Sequence, residues 1–397
     1  MFGFISKPLL MLISMVLGLA AGFADLNWCY SLATVLADLF MNMFKAVSLP
    51  IIFLSLLSAV SGLSDLGQVR KLGIRVLALS LGTTFASSCV SLSIYLLLRP
   101  AIKTGTDLVT VGPASFDSYF SNLKKIFPDN FLRPFIEGNS IAVVITALLM
   151  GLAALTLAGE QRKTLHEFFS SFLALFMKIV TGITLALPIG VWAFSCLFMR
   201  DLRAGSSLQS LALYLVAIVM ANLVQAFFVL PLLLRRHRIP VLESVRGMWP
   251  ALSLAFFSKS SCAAMPLAMT CAEKELSVSR RISGFSFPLC TSVNMNACAG
   301  FILITFLFVS ESHGVVFSNL ELMQWTVIST IVAMGHAGVP MGCFFLASAL
   351  VAQANLPLTL MGIILPFYTW LDMLESAINL WSDSCVTLVL SKTSQKI

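Results

Sequence analysis

Charge is what this sequence lacks most. Only 18 of its 397 residues are acidic and 25 are lysine or arginine, so 11% of the chain is charged. A soluble domain carries roughly 25%. With 58% of residues hydrophobic, a water-soluble globular protein is excluded. Strict apolar and polar alternation is also missing, which excludes a transmembrane β-barrel. None of the nine cysteines forms a CxxC pair, and the four histidines stand far apart in the chain. A zinc site is therefore not expected, and the cysteines read as small buried hydrophobes rather than disulfides or metal ligands. No basic stretch interleaved with aromatics resembles a nucleic-acid reader, so no nucleic-acid partner is expected. The net charge of +7 reads instead as loop orientation.

Long apolar runs are what the chain has. They cover 8–26, 32–62, 71–98, 140–158, 167–199 and 207–235. The first is too long for a signal-peptide core and long enough to span, so it reads as a first transmembrane helix. The polar stretch 100–139 reads as an external loop. Beyond 235 the pattern changes. Residues 241–277 form two apolar halves split by Ser258–Pro266, each too short for a ~30 Å hydrocarbon core. Residues 281–309 span but carry Pro288 and the polar knot Thr291–Asn296. Residues 322–355 again form two halves, split at Met334–Gly342, and 359–391 span.

The expected fold is an all-α polytopic membrane protein. It has eight transmembrane helices plus two re-entrant helical hairpins, and an inverted-repeat transport core. Broken segments in matching positions point to a solute site at mid-membrane, where non-helical backbone survives only inside protein or beside a wet cavity. Two pairs of ordinary kinked helices are the alternative. In the last run, Asp372, Glu375, Ser376, Asn379 and Asp383 fall at helical spacing on one face. Ionisable groups in a spanning helix are costly and usually bind or conduct something. Lys and Arg fall in alternate connections, which places both termini in the cytoplasm by the positive-inside rule. The 100–139 insert, with Lys103, Lys124, Lys125 and Arg133, is the exception. The Ser258-Lys259-Ser260 run also fits a serine–lysine hydrolase on paper, but nothing around it supplies an oxyanion site.

Several stretches together resemble the dicarboxylate/amino acid:cation symporter family, the glutamate and neutral amino acid transporters. Phe44–Phe53 is similar to that family's second-helix motif and Leu187–Phe194 to its fifth. Phe287–Asn296 is similar to the unwound seventh helix, and Gly335–Pro340 to the tip of the second hairpin. The resemblance runs nearly end to end. It implies an inner-membrane homotrimer working as a secondary active symporter, not an enzyme, by an elevator mechanism. It implies scaffold helices in 1–70 and 140–200. The transport domain would take helix 3 at 71–99 and all of 201–397: helix 6, hairpin 241–277, helix 281–309, hairpin 322–355 and helix 359–391. For a small-molecule solute it implies Asp372 on the α-amino group and Asn379 on the α-carboxylate. Ser260 and Ser261 at the first tip, and Gly338 and Val339 at the second, join them, with Cys298, Glu375 and Ser376 nearby. For the coupling ion, sodium or a proton, it implies three positions. Asp383 with Cys290, Asn294 and Asn379 is the first. Backbone oxygens at Ser292, Ala333, Met334 and His336 make the second. Thr83, Thr84 and Asn296 make the third.

Three departures from the family pattern carry consequences. Glu375 stands where acidic-substrate members have an arginine. A carboxylate 4 Å from a substrate carboxylate repels it by about 4 kcal/mol at an effective dielectric of 20. Cys298 stands where a threonine helps hold the same group, and a thiol is a poor donor. A neutral or cationic amino acid is therefore expected over glutamate or aspartate, unless Lys259 or a protonated Glu375 offsets the repulsion. Asn296 replaces the acidic residue of the third cation position, and Ser80 stands where a tyrosine is usual, so fewer than three sodium ions per cycle are expected. These departures also leave an uncoupled channel or a substrate-sensing membrane protein of the same fold as the competing function.

Overall fold

A computed structural model describes residues 7–61, 69–101, 130–136, 140–203, 208–336 and 341–394. All regular structure among the described residues is helical. The helices are α1 (Lys7–Phe23), α2 (Asn27–Ser61), α3 (Val69–Leu98), α4 (Ser140–Leu155) and α5 (Gly159–Arg203). Next comes α6 (Leu208–Arg236), which contains a π-helical turn at Gln225–Val229. Then follow α7 (Val241–Ser258), α8 (Ser261–Glu275), α9 (Arg280–Val293) and α10 (Asn296–Ser312). The last are α11 (Asn319–Ala333), α12 (Gly342–Gln353) and α13 (Thr359–Ser394). One short helical turn, Arg133–Ile136, falls within the expected 100–139 loop; most of that loop lies outside the described residues.

Helix ends and apolar-run ends differ by a few residues: α1 and α4 stop three residues short of their runs, while α2 and α5 start ahead of theirs. α5 begins at Gly159, eight residues before the run at 167, because Glu160, Gln161, Arg162 and Lys163 are good helix formers in a polar setting. Hydropathy marks where a helix is dry, not where it ends. By length and composition, three described stretches are able to cross a membrane: Gly73–Leu98, Leu208–Arg236 and Arg280–Ser312.

Both interrupted segments are broken where expected. Between α7 and α8, Lys259 takes the left-handed region at φ 56°, and the Ser260 hydroxyl accepts from the Ala263 N–H at 3.1 Å to cap α8. Beyond α11, a 3-10 turn at Met334–His336 precedes the break, and Met341 at φ 64° starts α12. α7 has 18 residues and α8 has 15, hence about 27 and 23 Å at 1.5 Å per residue. α11 and α12, with 15 and 12 residues, reach about 23 and 18 Å. Each arm is shorter than a ~30 Å core. α11 starts at a reciprocal cap, Ser318 with Glu321.

Packing sorts the helices. α1, α2, α4 and α5 lie chiefly on one another, while α3 packs on α10, α6 and α11. α1 meets α5 closely because Gly18 and Gly22 carry no Cβ. One placed at Gly18 falls on the Trp192 carbonyl, and one at Gly22 falls 2.5 Å from the Cys196 carbonyl oxygen. This is a small-xxx-small contact. α10 is buried along its whole length except at Glu311, and α13 is buried at every residue from Ile378 to Ser391. These two helices form the centre of the second group, with α7, α8 and α9 against α13. The polar face expected on the last helix is therefore buried, but so is the rest of that stretch.

Gly300 sits where α10 crosses α3, and an added Cβ there collides with the Ser91 hydroxyl. Gly300→Ala should cost about 1–3 kcal/mol by overpacking. Adding Ser91→Ala should recover most of that loss. Thermal unfolding of the three purified proteins checks this, and an unchanged melting temperature in Gly300→Ala refutes it.

Candidate binding site at the broken helices

The site grows from the interruption between α9 and α10. Asn294 and Met295 leave helical geometry at ψ 66° and 63°, and the Asn294 N–H turns back onto the Cys290 carbonyl at 2.7 Å. Freed polar groups in a dry interior need partners, and amide side chains supply them. Asn294 Nδ2 donates to Ser382 Oγ at 2.9 Å and to Asp383 Oδ1 at 3.0 Å. Asn294 Oδ1 accepts from Thr83 Oγ1 at 3.0 Å and from Asn296 Nδ2 at 2.7 Å. Asn296 Nδ2 also lies within reach of Ser382 Oγ at 2.6 Å, Thr83 Oγ1 at 3.3 Å and Thr84 Oγ1 at 3.5 Å. Asn296 Oδ1 accepts from Gln225 Nε2 at 2.6 Å, and Ser87 Oγ donates to the Asn296 carbonyl at 2.8 Å.

Within this network Asp383 Oδ2 is buried and accepts from none of the described groups. A buried carboxylate oxygen without a donor is expensive, and a hard cation among oxygen ligands removes the cost. The residues present therefore fit a small cation at Asp383. Ser292 Oγ donates to the Pro288 carbonyl at 3.1 Å. Ala333, Met334 and His336 are buried at the end of α11 and in the 3-10 turn, which packs on α9 and α2. The structure thus brings the backbone groups of the second expected position to one interface. Thr83, Thr84 and Asn296 are joined to one another by hydrogen bonds.

Two to three turns earlier on α13, Asp372 and Glu375 are buried at 2% and 1% exposure. The Tyr368 hydroxyl reaches both, at 3.4 Å to Asp372 Oδ1 and 3.3 Å to Glu375 Oε2. One proton serves two carboxyl groups. Asp372 Oδ2 accepts from the Met341 N–H at 3.2 Å, so the start of α12 sits on the atom expected to hold a solute amino group. Glu375 Oε1 accepts from none of the described groups. Phe301 and Phe344 flank Tyr368, with ring centroids at 4.7 and 5.5 Å.

Asn379 does not face open space. Its Oδ1 accepts from the Ala297 N–H at 2.9 Å and its Nδ2 donates to Cys298 Sγ at 3.1 Å. Ser260 is occupied as the α8 cap, while Ser261 and Ser376 are buried. Cys290 is buried beside Ser286 and Ser80. Gly338 and Val339 lie outside the described residues.

Two expectations about the sulfur residues fail. Cys298 and Cys343 meet sulfur to sulfur with Cα atoms 5.5 Å apart, so they are not isolated hydrophobes. His336 lies with them, because the break after α11 folds its 3-10 turn back toward α10. Sequence distance misjudged both. Reading from the sequence also missed Tyr368, Ser382 and Gln225. Tyr368 is four residues before Asp372 and seven before Glu375, so extending the same face finds it. Ser382 adjoins Asp383. Gln225 sits in an apolar run three residues after Asn222, and the π-helical turn that presents it leaves no signal in the periodicity; such turns recur at functional sites.

A sequence profile described as the sodium:dicarboxylate symporter family matches residues 8–393. The chain is 25% identical over 411 residues to a Caenorhabditis elegans protein named as a sodium-dependent excitatory amino acid transporter, glt-4, covering 89% of this chain and 81% of the relative. It is 25% identical over 388 residues to the neutral amino acid transporter B(0) of Homo sapiens, covering 87% and 71%. It is 21% identical over 408 residues to excitatory amino acid transporter 2 of Mus musculus, covering 87% and 71%.

Asn296 is the hub of the amide network. Asn296→Leu should remove the shorter hydrogen bond of both Gln225 Nε2 and Asn294 Oδ1 and leave each with Thr83 alone, at a cost of about 0.5–1.5 kcal/mol for each bond lost. Thermal unfolding in sodium-free buffer measures it. A melting temperature at or above that of the unaltered protein contradicts the network.

Proposed function

Because the chain belongs to the sodium:dicarboxylate symporter family, a family of transporters and not of enzymes, we propose that it carries an amino acid or dicarboxylate across a membrane by cation-coupled symport. The observation that carries this reading is the pairing of Asp372 and Asp383 on α13, eleven residues apart and both buried. One faces the α11–α12 break and the other the α9–α10 break. A solute ammonium and a hard cation each need a carboxylate in a dry site.

In this reading the chain crosses the membrane eight times. α7–α8 and α11–α12 enter and return as re-entrant hairpins from opposite sides. α1, α2, α4 and α5 form the scaffold of a trimer in the inner membrane, with both termini cytoplasmic. α3 and α6–α13 form the domain that moves as an elevator. Asp372 takes the α-ammonium of the solute. Doing so displaces the Met341 N–H from Asp372 Oδ2, so solute binding is linked to movement of the second hairpin. Ser260, Ser261, Ser376, Gly338, Val339 and Asn379 surround the rest of the α-amino acid. Asp383, with Asn294, Asn379 and the Cys290 carbonyl, holds the first sodium. The bound ion supplies positive charge that offsets the carboxylate. Carbonyls at Ser292, Ala333, Met334 and His336 hold the second, and a proton is the other candidate coupling ion. The hydrogen bonds joining Asn296 to Thr83 and Thr84 support a stoichiometry below three sodium ions. They also keep a second reading open, an uncoupled channel or a sensor of the same fold.

Uptake into proteoliposomes decides the coupling. An inward sodium gradient should drive accumulation above equilibrium, with a reversal potential giving fewer than three ions per solute, and Asp383→Asn should abolish it. Only equilibration, with or without sodium, rejects symport in favour of a channel.

Glu375 and Cys298 point the side-chain end of the pocket away from acidic solutes. No described donor meets Glu375 Oε1, and the described donor to its other oxygen is the hydroxyl it shares with Asp372. Repulsion of about 4 kcal/mol at 4 Å and an effective dielectric of 20 suffices to suppress an acidic side chain. Neutral or basic amino acids should therefore compete for uptake far better than aspartate or glutamate. Glu375→Gln should narrow the gap. Aspartate competing as strongly as the best neutral or basic amino acid rejects this specificity while leaving transport intact.

A further inference from the structure

Three sulfur and nitrogen ligands converge where α10, the 3-10 turn and α12 meet. Cys298 and Cys343 are fully buried and His336 is 4% exposed. One ligand atom from each lies within 4.8 Å of the other two. They come from three separate elements, so the topology and not local sequence gathers them. Gly342 makes room for the imidazole: a Cβ there would come within 2.9 Å of His336 Nε2. The absent side chain lets the ring fold back over the start of α12, beside residue 343.

The electrostatic setting suits anionic ligands. Cys298 is the third residue of α10 and Cys343 the second of α12, so the positive ends of two helix dipoles converge on the sulfur pair. The Asn379 amide, itself held by the Ala297 N–H, donates to Cys298 Sγ at 3.1 Å. A hydrogen bond of this kind orients a ligating sulfur and tunes the metal it holds.

We propose that Cys298, Cys343 and His336 form a binding site for a thiophilic d10 cation, with zinc(II) as its ion. Two sulfurs and one imidazole match zinc chemistry, and they exclude the hard cations assigned to the oxygen ligands around Asp383. Two thiolates also cancel the charge of a divalent ion, which makes it tolerable in a dry interior. Bound there, the ion ties α10 to both sides of the α11–α12 break. This inference does not rest on the transport reading, because it is read out by metal binding alone.

The full-length protein, purified in detergent, kept reduced and stripped with a chelator, is titrated with cobalt(II) and then zinc(II). One equivalent of cobalt per chain should produce a near-ultraviolet sulfur-to-cobalt charge-transfer band with visible d–d bands, and one equivalent of zinc should bleach both. Cys298→Ser with Cys343→Ser should lose the charge-transfer band. Gly342→Ala, which keeps all three ligands but crowds the imidazole, should weaken binding about tenfold. Absence of the band in the reduced, unaltered protein overturns the site, a result that needs no variant to fold. So does a band that survives the double substitution. So does a Cys298–Cys343 disulfide that peptide mass spectrometry still finds after reduction of the folded protein.

Discussion

A polar group freed in a dry interior has to find its partner within the protein, and that constraint organises this molecule. The break between α9 and α10 shows it most directly. Ending a helix at Asn294 removes regular hydrogen bonds in a region where nearly every neighbour is buried. The sequence answers with amides and hydroxyls from four directions: Thr83 and Thr84 on α3, Gln225 on α6, Asn296 on α10, and Ser382 and Asp383 on α13. Each element that contributes is thereby fixed relative to the break. The polar network specifies the packing, and the packing keeps water from replacing it. Two of its acceptors, Gln225 Oε1 and Asp383 Oδ2, meet no described donor, and the carboxylate oxygen is the atom where a cation fits.

The same logic explains the other two interruptions. At Lys259 and at Met341 the chain takes a left-handed turn and then starts a new helix. Ser260 caps the first of these with its own side chain. The second lacks such a cap, and the Met341 N–H is satisfied by Asp372 across 31 residues of sequence. A local cap stands without help from elsewhere, whereas a cap borrowed from α13 can be exchanged for another donor. On the proposed reading, that difference makes the α11–α12 break the one able to respond to a solute.

Much of this was legible in the sequence, for identifiable reasons. Segment lengths set against bilayer thickness located both breaks, and helical spacing collected the acidic and amide residues of α13. The polar knot at Thr291–Asn296 marked the third break. Tertiary partners were not legible. Nothing in the periodicity of α6 announced the π-helical turn that brings Gln225 to Asn296. The four histidines are far apart along the chain, so His336 gave no hint of meeting two cysteines that are themselves 45 residues apart. Helix boundaries drifted wherever a helix ran on into polar sequence, as at Glu160.

Charge placement on α13 then orders the chemistry along one axis. Asp383 lies deepest in the amide network, where its neighbours are oxygen ligands of fixed geometry. Asp372 and Glu375 lie at the other end, against aromatic rings and the movable start of α12. Among the described residues their shared donor is a single tyrosine hydroxyl. A fixed oxygen cage selects a small ion by coordination, while an adaptable pocket with excess negative charge selects a solute by the positive charge it brings. Between them Asn379 touches the start of α10 through both its backbone amide and its sulfur. A short path therefore joins the two breaks: from Met341 to Asp372, along one helix to Asn379, and through the first turn of α10 to Asn294. On the proposed assignments coupling requires no long-range conduit, because Asp372 and Asp383 are three turns apart on one helix and both buried.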